Sequence, residues 1–307
     1  QKIVTIPNIL FAVTFRIVQL LILTYAIFYV MVWNKGYQDH DTSVISAVTI
    51  KVKGIGVVNR TNSIDSADYV IPSQENNALF IMTNYIRTYQ EHKRCAEPQF
   101  VEQAKCQNDS QCQTSLKRNI NGYWTGRCLK NVSRCELIGW CPVEVDLHQP
   151  EPTKSTRNYT IFIKNFIEFS KFRVSRRNTI LIDPKRLRTC LYHHITDRLC
   201  PIFRIGDLLN MIESDNNEKR QMLKWGTVIR VKIDWICNLD KSLDKCLPKY
   251  SFGRLDTYEE RTFSHGFNFR YASKWMHGNR SYRMLTKAFG LRLIIVVSGE
   301  ASKFDLL

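Results

Sequence analysis

The sequence holds ten cysteines but no C-x-x-C pair, which argues against a zinc-ribbon or thioredoxin-like site. It has no G-x-x-x-x-G-K loop, no G-x-S-x-G and no H-E-x-x-H. The common phosphate-loop, serine-hydrolase and zinc-protease chemistries therefore have no foothold. Acidic residues are few, 28 against 44 basic ones, leaving a formal charge of +16. Such a surplus points to an anionic partner. Nucleic acid is a poor fit, because there is no basic tail, no zinc-finger spacing and no basic helix with heptads. No internal repeat is visible, and long apolar runs are almost absent.

The exception lies at residues 17–33, apolar apart from Gln19 and Thr24, with Arg16 at its start. With the preceding residues it reaches the roughly 20 residues that span a bilayer. A signal peptide would be shorter and end in small residues, whereas this run meets aromatic and charged ones. Residues 1–8 therefore read as a cytoplasmic remnant and 9–33 as a first transmembrane helix. Lys2 and Arg16 favour a cytoplasmic start, which places every cysteine outside. The cysteines cluster: Cys95, Cys106, Cys112, Cys128, Cys135 and Cys141, then Cys190 with Cys200, then Cys237 with Cys246. Clustering without metal-ligand spacing indicates disulfides in an oxidising compartment. Sequons at Asn59, Asn108, Asn131, Asn158 and Asn279 agree with an extracellular body. How the first six cysteines pair is left open.

Strand-like runs dominate after the helix, at 44–58, 78–83, 159–169, 227–236 and 266–272. The clearest is "GTVIRVKIDWIC", with strict alternation from Val228 to Ile236. Helical signal is confined to "NYIRTYQEHKRC" (84–95) and "IGDLLNMIESDNNEKRQML" (205–223). Residues 95–141 are polar and cysteine-rich, and read as a lobe held by disulfides rather than by its own core. Residues 146–158 read as a loop returning to the main body. "LRLIIVVSGEASKFDLL" reads as an apolar strand followed by a polar break, and the chain looks trimmed at both ends.

Basic residues recur in strand-like contexts. In "AVTIKVKGIGV", Lys51 and Lys53 project from one face, with no neighbouring carboxylate to balance them. In "SHGFNFRYA", Asn268 and Arg270 share a face, and Ser264 lies four residues before Asn268. Lys287 sits in "MLTKAFGLRL". These cations, an amide and a hydroxyl suit a polyphosphate: lysine gives point charge, and arginine a fork for two oxygens. His193, His194, His265 and His277 read as surface histidines rather than metal ligands.

"KVKGIGV", "NYTIFIKN", "CLYHHITDRLCPIFRIGD", "HGFNFRYA" and "KAFGLRLIIVVSGEASKFD" occur in this order along the chain. Together with the ten cysteines and the helix "RIVQLLILTYAIFYVMVWNKGYQ", they resemble the ionotropic purinergic receptors, the ATP-gated trimeric cation channels. The resemblance covers essentially the whole chain. It implies a mainly β ectodomain over 34–303, with a small disulfide-rich α+β lobe at 95–141. It also implies two transmembrane helices per subunit, the second starting at 304–307, and two further subunits of the same or a related chain. The setting would be the plasma membrane, with both termini cytoplasmic.

By the same resemblance, ATP acts as an agonist that is not turned over, and sits between subunits. Lys51 and Lys53 would hold its phosphates, with Thr160 at the adenine and Lys164 nearby. Asn268, Arg270 and Lys287 would complete the cradle from the next subunit, with Ser264 adjacent. Leu191 and Ile205 would pack on base and ribose. The implied disulfides are Cys95–Cys141, Cys106–Cys128, Cys112–Cys135, Cys190–Cys200 and Cys237–Cys246. Glu144 and Asp146 match positions for a divalent ion such as magnesium or zinc, and Glu75 a region facing the threefold axis, where three copies would concentrate negative charge for cations. Two competing readings are a proton-gated or epithelial-type trimeric sodium channel, which would need acidic pairs, and a membrane-anchored ecto-nucleotidase. The nucleotidase would need a metal and carboxylate constellation that the sequence does not display.

Overall fold

The computed structural model describes residues 9–59, 62–72, 75–113, 121–146, 151–152, 154–256 and 266–305. Among them, one helix is long and apolar enough to cross a membrane, Ile9–Trp33, none of it buried against the rest of the chain. It is α-helical over Ile9–Thr24 and continues as a π-helix over Tyr25–Trp33. Its all-round apolar surface is what lipid requires.

The strands follow as β1 (Gln38–Asp41), β2 (Val44–Lys53), β3 (Gly56–Asn59), β4 (Asn62–Ile64) and β5 (Ala78–Ala96). Next come β6 (Gly122–Leu129), β7 (Arg134–Cys141), β8 (Thr160–Phe169), β9 (Val174–Arg177) and β10 (Ile202–Arg204). The last four are β11 (Thr227–Asn238), β12 (Pro248–Arg254), β13 (Asn268–His277) and β14 (Arg280–Phe304). An eight-stranded sheet runs β12-β11-β14-β5-β7-β6, with β1 and β13 also paired to β14. A four-stranded sheet runs β10-β8-β2, with β9 on β8.

The 25-residue β14 is the spine of the larger sheet. It pairs antiparallel with β5 and β13 in its first half and parallel with β11 in its second. No break occurs at Ser298–Glu300, contrary to the sequence expectation. There the strand is held by β11 through Asp234, Trp235 and Ile236, so ladder pairing outweighs polarity. The same cause overturns the predicted helix at 84–95. Those residues belong to β5, held by β14 through Glu91 and by β7 from Glu91 to Ala96. The predicted helix at 205–223 forms as two, Ile205–Ile212 and Asn216–Trp225, the second capped by Asp215.

The two sheets pack face to face. Ile161, Ile163, Ile167 and Phe169 of β8 share one core with Ile229, Val231, Ile233 and Trp235 of β11 and with Leu291 and Leu293 of β14. A buried polar link crosses this core, where Trp235 Nε1 donates to Asn165 Oδ1 at 2.8 Å. The Asn165 N–H donates in turn to Asn178 Oδ1, and Asn178 Nδ2 donates to Tyr250 at 3.0 Å. The segment from Cys95 to Cys141 holds three disulfides, Cys95–Cys141, Cys106–Cys128 and Cys112–Cys135. Its own core is little more than these cysteines with Val101, Ala104, Trp124 and Leu137. Cys190–Cys200 and Cys237–Cys246 close two short loops elsewhere.

Candidate functional site

Strand β2 alternates between half-buried and exposed positions, which places Thr49, Lys51 and Lys53 on its outer face. Its partner β8 sets Phe162 opposite Lys51, Thr160 opposite Lys53 and Lys164 opposite Thr49, so all six share that face. The Thr160 hydroxyl donates to the Lys53 carbonyl at 3.4 Å. A cavity of about 820 Å³ opens over this surface, lined by Lys51, Lys53 and Thr160 and walled by the segment from Pro184 to Leu191. Lys164 is exposed on the same face, further along β8.

The chain reaches this geometry by a close approach. At Gly54 a Cβ would stand 2.3 Å from the ring of Tyr159, and at Gly56 one would stand 2.2 Å from its hydroxyl. Glycine lets the end of β2 lie flat on that ring and hold Lys53 in register with Thr160. Tyr159 is itself fixed by stacking on Tyr69, ring centroids 4.3 Å apart.

A second set of cations lies on the larger sheet. Arg270 of β13 stands directly opposite Lys287 of β14, and Asn268 is two residues away on the same face. Strand β13 starts at a crossing where a Cβ on Gly226 would meet the Phe267 carbonyl at 2.2 Å and that of Gly290 at 2.5 Å. Both cations are matched by acids. Arg270 Nε donates to Glu144 Oε2 at 2.6 Å, an Nη donates to Asp146 Oδ2 at 3.0 Å, and Lys287 Nζ donates to the same Asp146 oxygen. Burial pushes the Glu144 carboxyl above the usual range; Arg270 opposes this and Asp146 adds to it. Glu144 Oε1 and Asp146 Oδ1 are buried without a hydrogen-bond partner. Glu144, Asp146 and Arg270 line a cavity of about 540 Å³ with Trp140 and Arg283. Lys51 and Lys53 thus face one cavity of the chain and Arg270 another.

A family model described as "ATP P2X receptor" matches residues 1–307. The chain belongs to the P2X receptor family. It is 42% identical to P2X purinoceptor 4 of Mus musculus over 308 residues, covering 95% of this chain and 78% of that one. It is 37% identical to P2X purinoceptor 5 of Homo sapiens over 319 residues, covering 100% of this chain and 71% of that one. Among solved structures, a Gulf Coast tick P2X receptor crystallised with ATP and Zn2+ superposes with a TM-score of 0.81. That pair is 36% identical, covering 94% of this chain and 92% of the other. A chicken P2X7 receptor with the competitive antagonist TNP-ATP also gives 0.81, at 34% identity, covering 94% and 89%.

Against the P2X expectations, two positions need correction. Ile205 is fully buried in the core, where its N–H donates to the Tyr159 carbonyl, so it cannot meet a ligand. Ile202 lines the cavity instead: the β10–β8 ladder sets it opposite Phe162 on the Lys51 face. Leu187 also lines the cavity beside Leu191, and neither Leu187 nor Ile202 was singled out in the sequence. Phe162, also in the lining, went unmarked too, although alternation from Thr160 points to it; no local pattern marks Leu187. Glu75 is ion-paired with Arg292, so the negative charge expected from it is neutralised within the chain. Ser264 and His265 lie outside the described residues. Asn108, Asn131, Asn158 and Asn279 are exposed, and the side chain of Asn59 is outside the described set. The cysteine groupings that could hold a metal, Cys106 with Cys112 and Cys128, and Cys190 with Asp197 and Cys200, are spent on disulfides.

Proposed function

We propose that ATP bridges two subunits of the trimer, with Lys51, Lys53 and Thr160 of one facing Asn268, Arg270 and Lys287 of the next. Membership of the family makes the chain a subunit of a trimeric, ATP-gated cation channel of the plasma membrane, with a large extracellular domain, and not an enzyme. The observation that carries the intersubunit reading is the division of the cations. Lys51 and Lys53 line one cavity and Arg270, paired across the ladder with Lys287, lines another, and a polyphosphate needs more positive charge than either offers alone. The apolar wall of Leu187, Leu191 and Ile202 takes base and ribose, and Thr160 meets the base edge.

On the Arg270 side the phosphates must first displace Glu144 and Asp146. Those carboxylates are then released beside the triphosphate, with two oxygens already buried and unpartnered. A divalent ion carried by ATP satisfies both, and a hard-oxygen donor pair suits magnesium better than zinc. We place both termini in the cytoplasm, with a second membrane helix following Phe304, and we propose glycans on the exposed sequons.

ATP binding to the full-length trimer tests the site. Lys51→Ala and Arg270→Ala should each weaken it about tenfold or more. Affinity unchanged in both would remove the nucleotide from this surface.

A further inference from the structure

The cavity over Lys51 and Lys53 has a third cation. Arg188 lines it from the segment that follows the short helix Pro184–Leu187. That segment is well fixed: the Arg188 N–H donates to the Lys185 carbonyl at 3.3 Å and the Cys190 N–H to the Arg186 carbonyl at 2.8 Å. The Cys190–Cys200 disulfide then fastens it next to β10. Neighbouring arginines are neutralised, Arg186 by Asp197 at 3.3 Å and Arg204 by Asp207 at 2.7 Å. Arg188 has no ion-pair partner among the described residues, and no carboxylate lines the cavity it faces.

A lone exposed arginine is ordinary. A guanidinium sharing a concavity with two lysines, none of the three ion-paired among the described residues, is a different situation, because like charges around one pocket repel and a bound anion relieves them. We propose that Arg188 is a further nucleotide-binding residue, its guanidinium engaging the phosphates of the ATP held on Lys51 and Lys53. This rests on reading the cavity as the ATP site. The planar fork suits two phosphate oxygens. Because Arg188 sits on the disulfide-fastened segment and not on β2, its contact ties that segment to the strand across the nucleotide, with Leu187 and Leu191 already in the same cavity wall.

The test is ATP binding to the full-length trimer bearing Arg188→Ala, Arg188→Lys or Lys51→Ala. Arg188→Ala should weaken binding about five- to tenfold, as befits one exposed charge-assisted contact. Arg188→Lys should recover part of the loss, and the wild-type advantage should shrink as salt is raised. Equal losses in the alanine and lysine variants with no salt dependence would assign Arg188 to supporting the segment and overturn the proposal. Unchanged binding in Arg188→Ala alongside weakened binding in Lys51→Ala would overturn it while leaving the site standing. Unchanged binding in both would overturn the site itself.

Discussion

At the scale of single residues, the cations of the proposed site fall into two electrostatic states. Lys51 and Lys53 are exposed, with no acid lining their cavity, whereas Arg270 and Lys287 are held by Glu144 and Asp146. The second set is therefore occupied by the chain's own carboxylates, which compete with phosphate for the same donors. Asp146 matters most, because one of its oxygens accepts from both cations. Asp146→Asn should raise affinity for divalent-free ATP severalfold and abolish any gain from added magnesium. Titrating ATP binding with and without magnesium checks this, and an equal fall in both conditions would contradict it. Strand alternation in the sequence placed Lys51 with Lys53 and Asn268 with Arg270 on shared faces, as the ladders do; Lys287, opposite Arg270, was marked only by its basic, strand-like context. The resemblance set Ile205 against base and ribose, whereas the chain buries it, and an apolar residue beside a binding segment looks the same in sequence whether it points outward or into the core.

At the scale of elements, the two halves of the site depend on different packing devices. The β2 half relies on Gly54 lying against Tyr159, where any side chain must displace the ring. Gly54→Ala should push Lys53 out of register with Thr160 and weaken ATP binding, while the disulfides still form. Equilibrium binding and a thiol assay on the same sample separate those effects. The two sheets are joined by the Asn165–Trp235 hydrogen bond in a fully buried setting. Asn165→Leu leaves the indole N–H without an acceptor and should cost about 1–3 kcal/mol of stability, read from a denaturant midpoint.

Elements with a strong local period were legible beforehand: β11 through its alternation, and the two helices after Ile205 through their apolar stripes. The C-terminal half of β5 was not. Its Glu91, His92, Lys93 and Arg94 carry little β propensity, and the strand exists because β14 pairs it as far as Glu91 and β7 from Glu91 onward. Such pairings come from sequence-distant partners and leave no local trace.

At the scale of the whole molecule, β14 runs from the proposed phosphate cradle to the strand that follows the membrane helix. Lys287 lies in its first half, and its far end at Phe304 is bracketed by β1, which follows the membrane helix. Tyr37 packs near Phe304, ring centroids 6.0 Å apart, so the exit of that helix is tied to the end of the spine. Nucleotide drawn between subunits can open the pore only to the extent that it binds the open form better. Going from about 1% to 99% open takes about 5.5 kcal/mol of differential binding, or about 1.8 kcal/mol at each of three interfaces. Exchanging a carboxylate for a triphosphate at Arg270 and Lys287, while engaging Lys51 and Lys53, is of that order.

The division of one nucleotide between two subunits is the central claim, and mixed trimers test it most directly. Subunits bearing Lys51→Ala are assembled with subunits bearing Arg270→Ala, and ATP binding to the purified mixed trimer is measured. Every mixed trimer then contains one interface with both halves intact. We expect near-wild-type affinity at that interface, although trimers made purely of either variant bind weakly. Mixed trimers that bind no better than the parents would contradict the shared site and return the nucleotide to a single subunit.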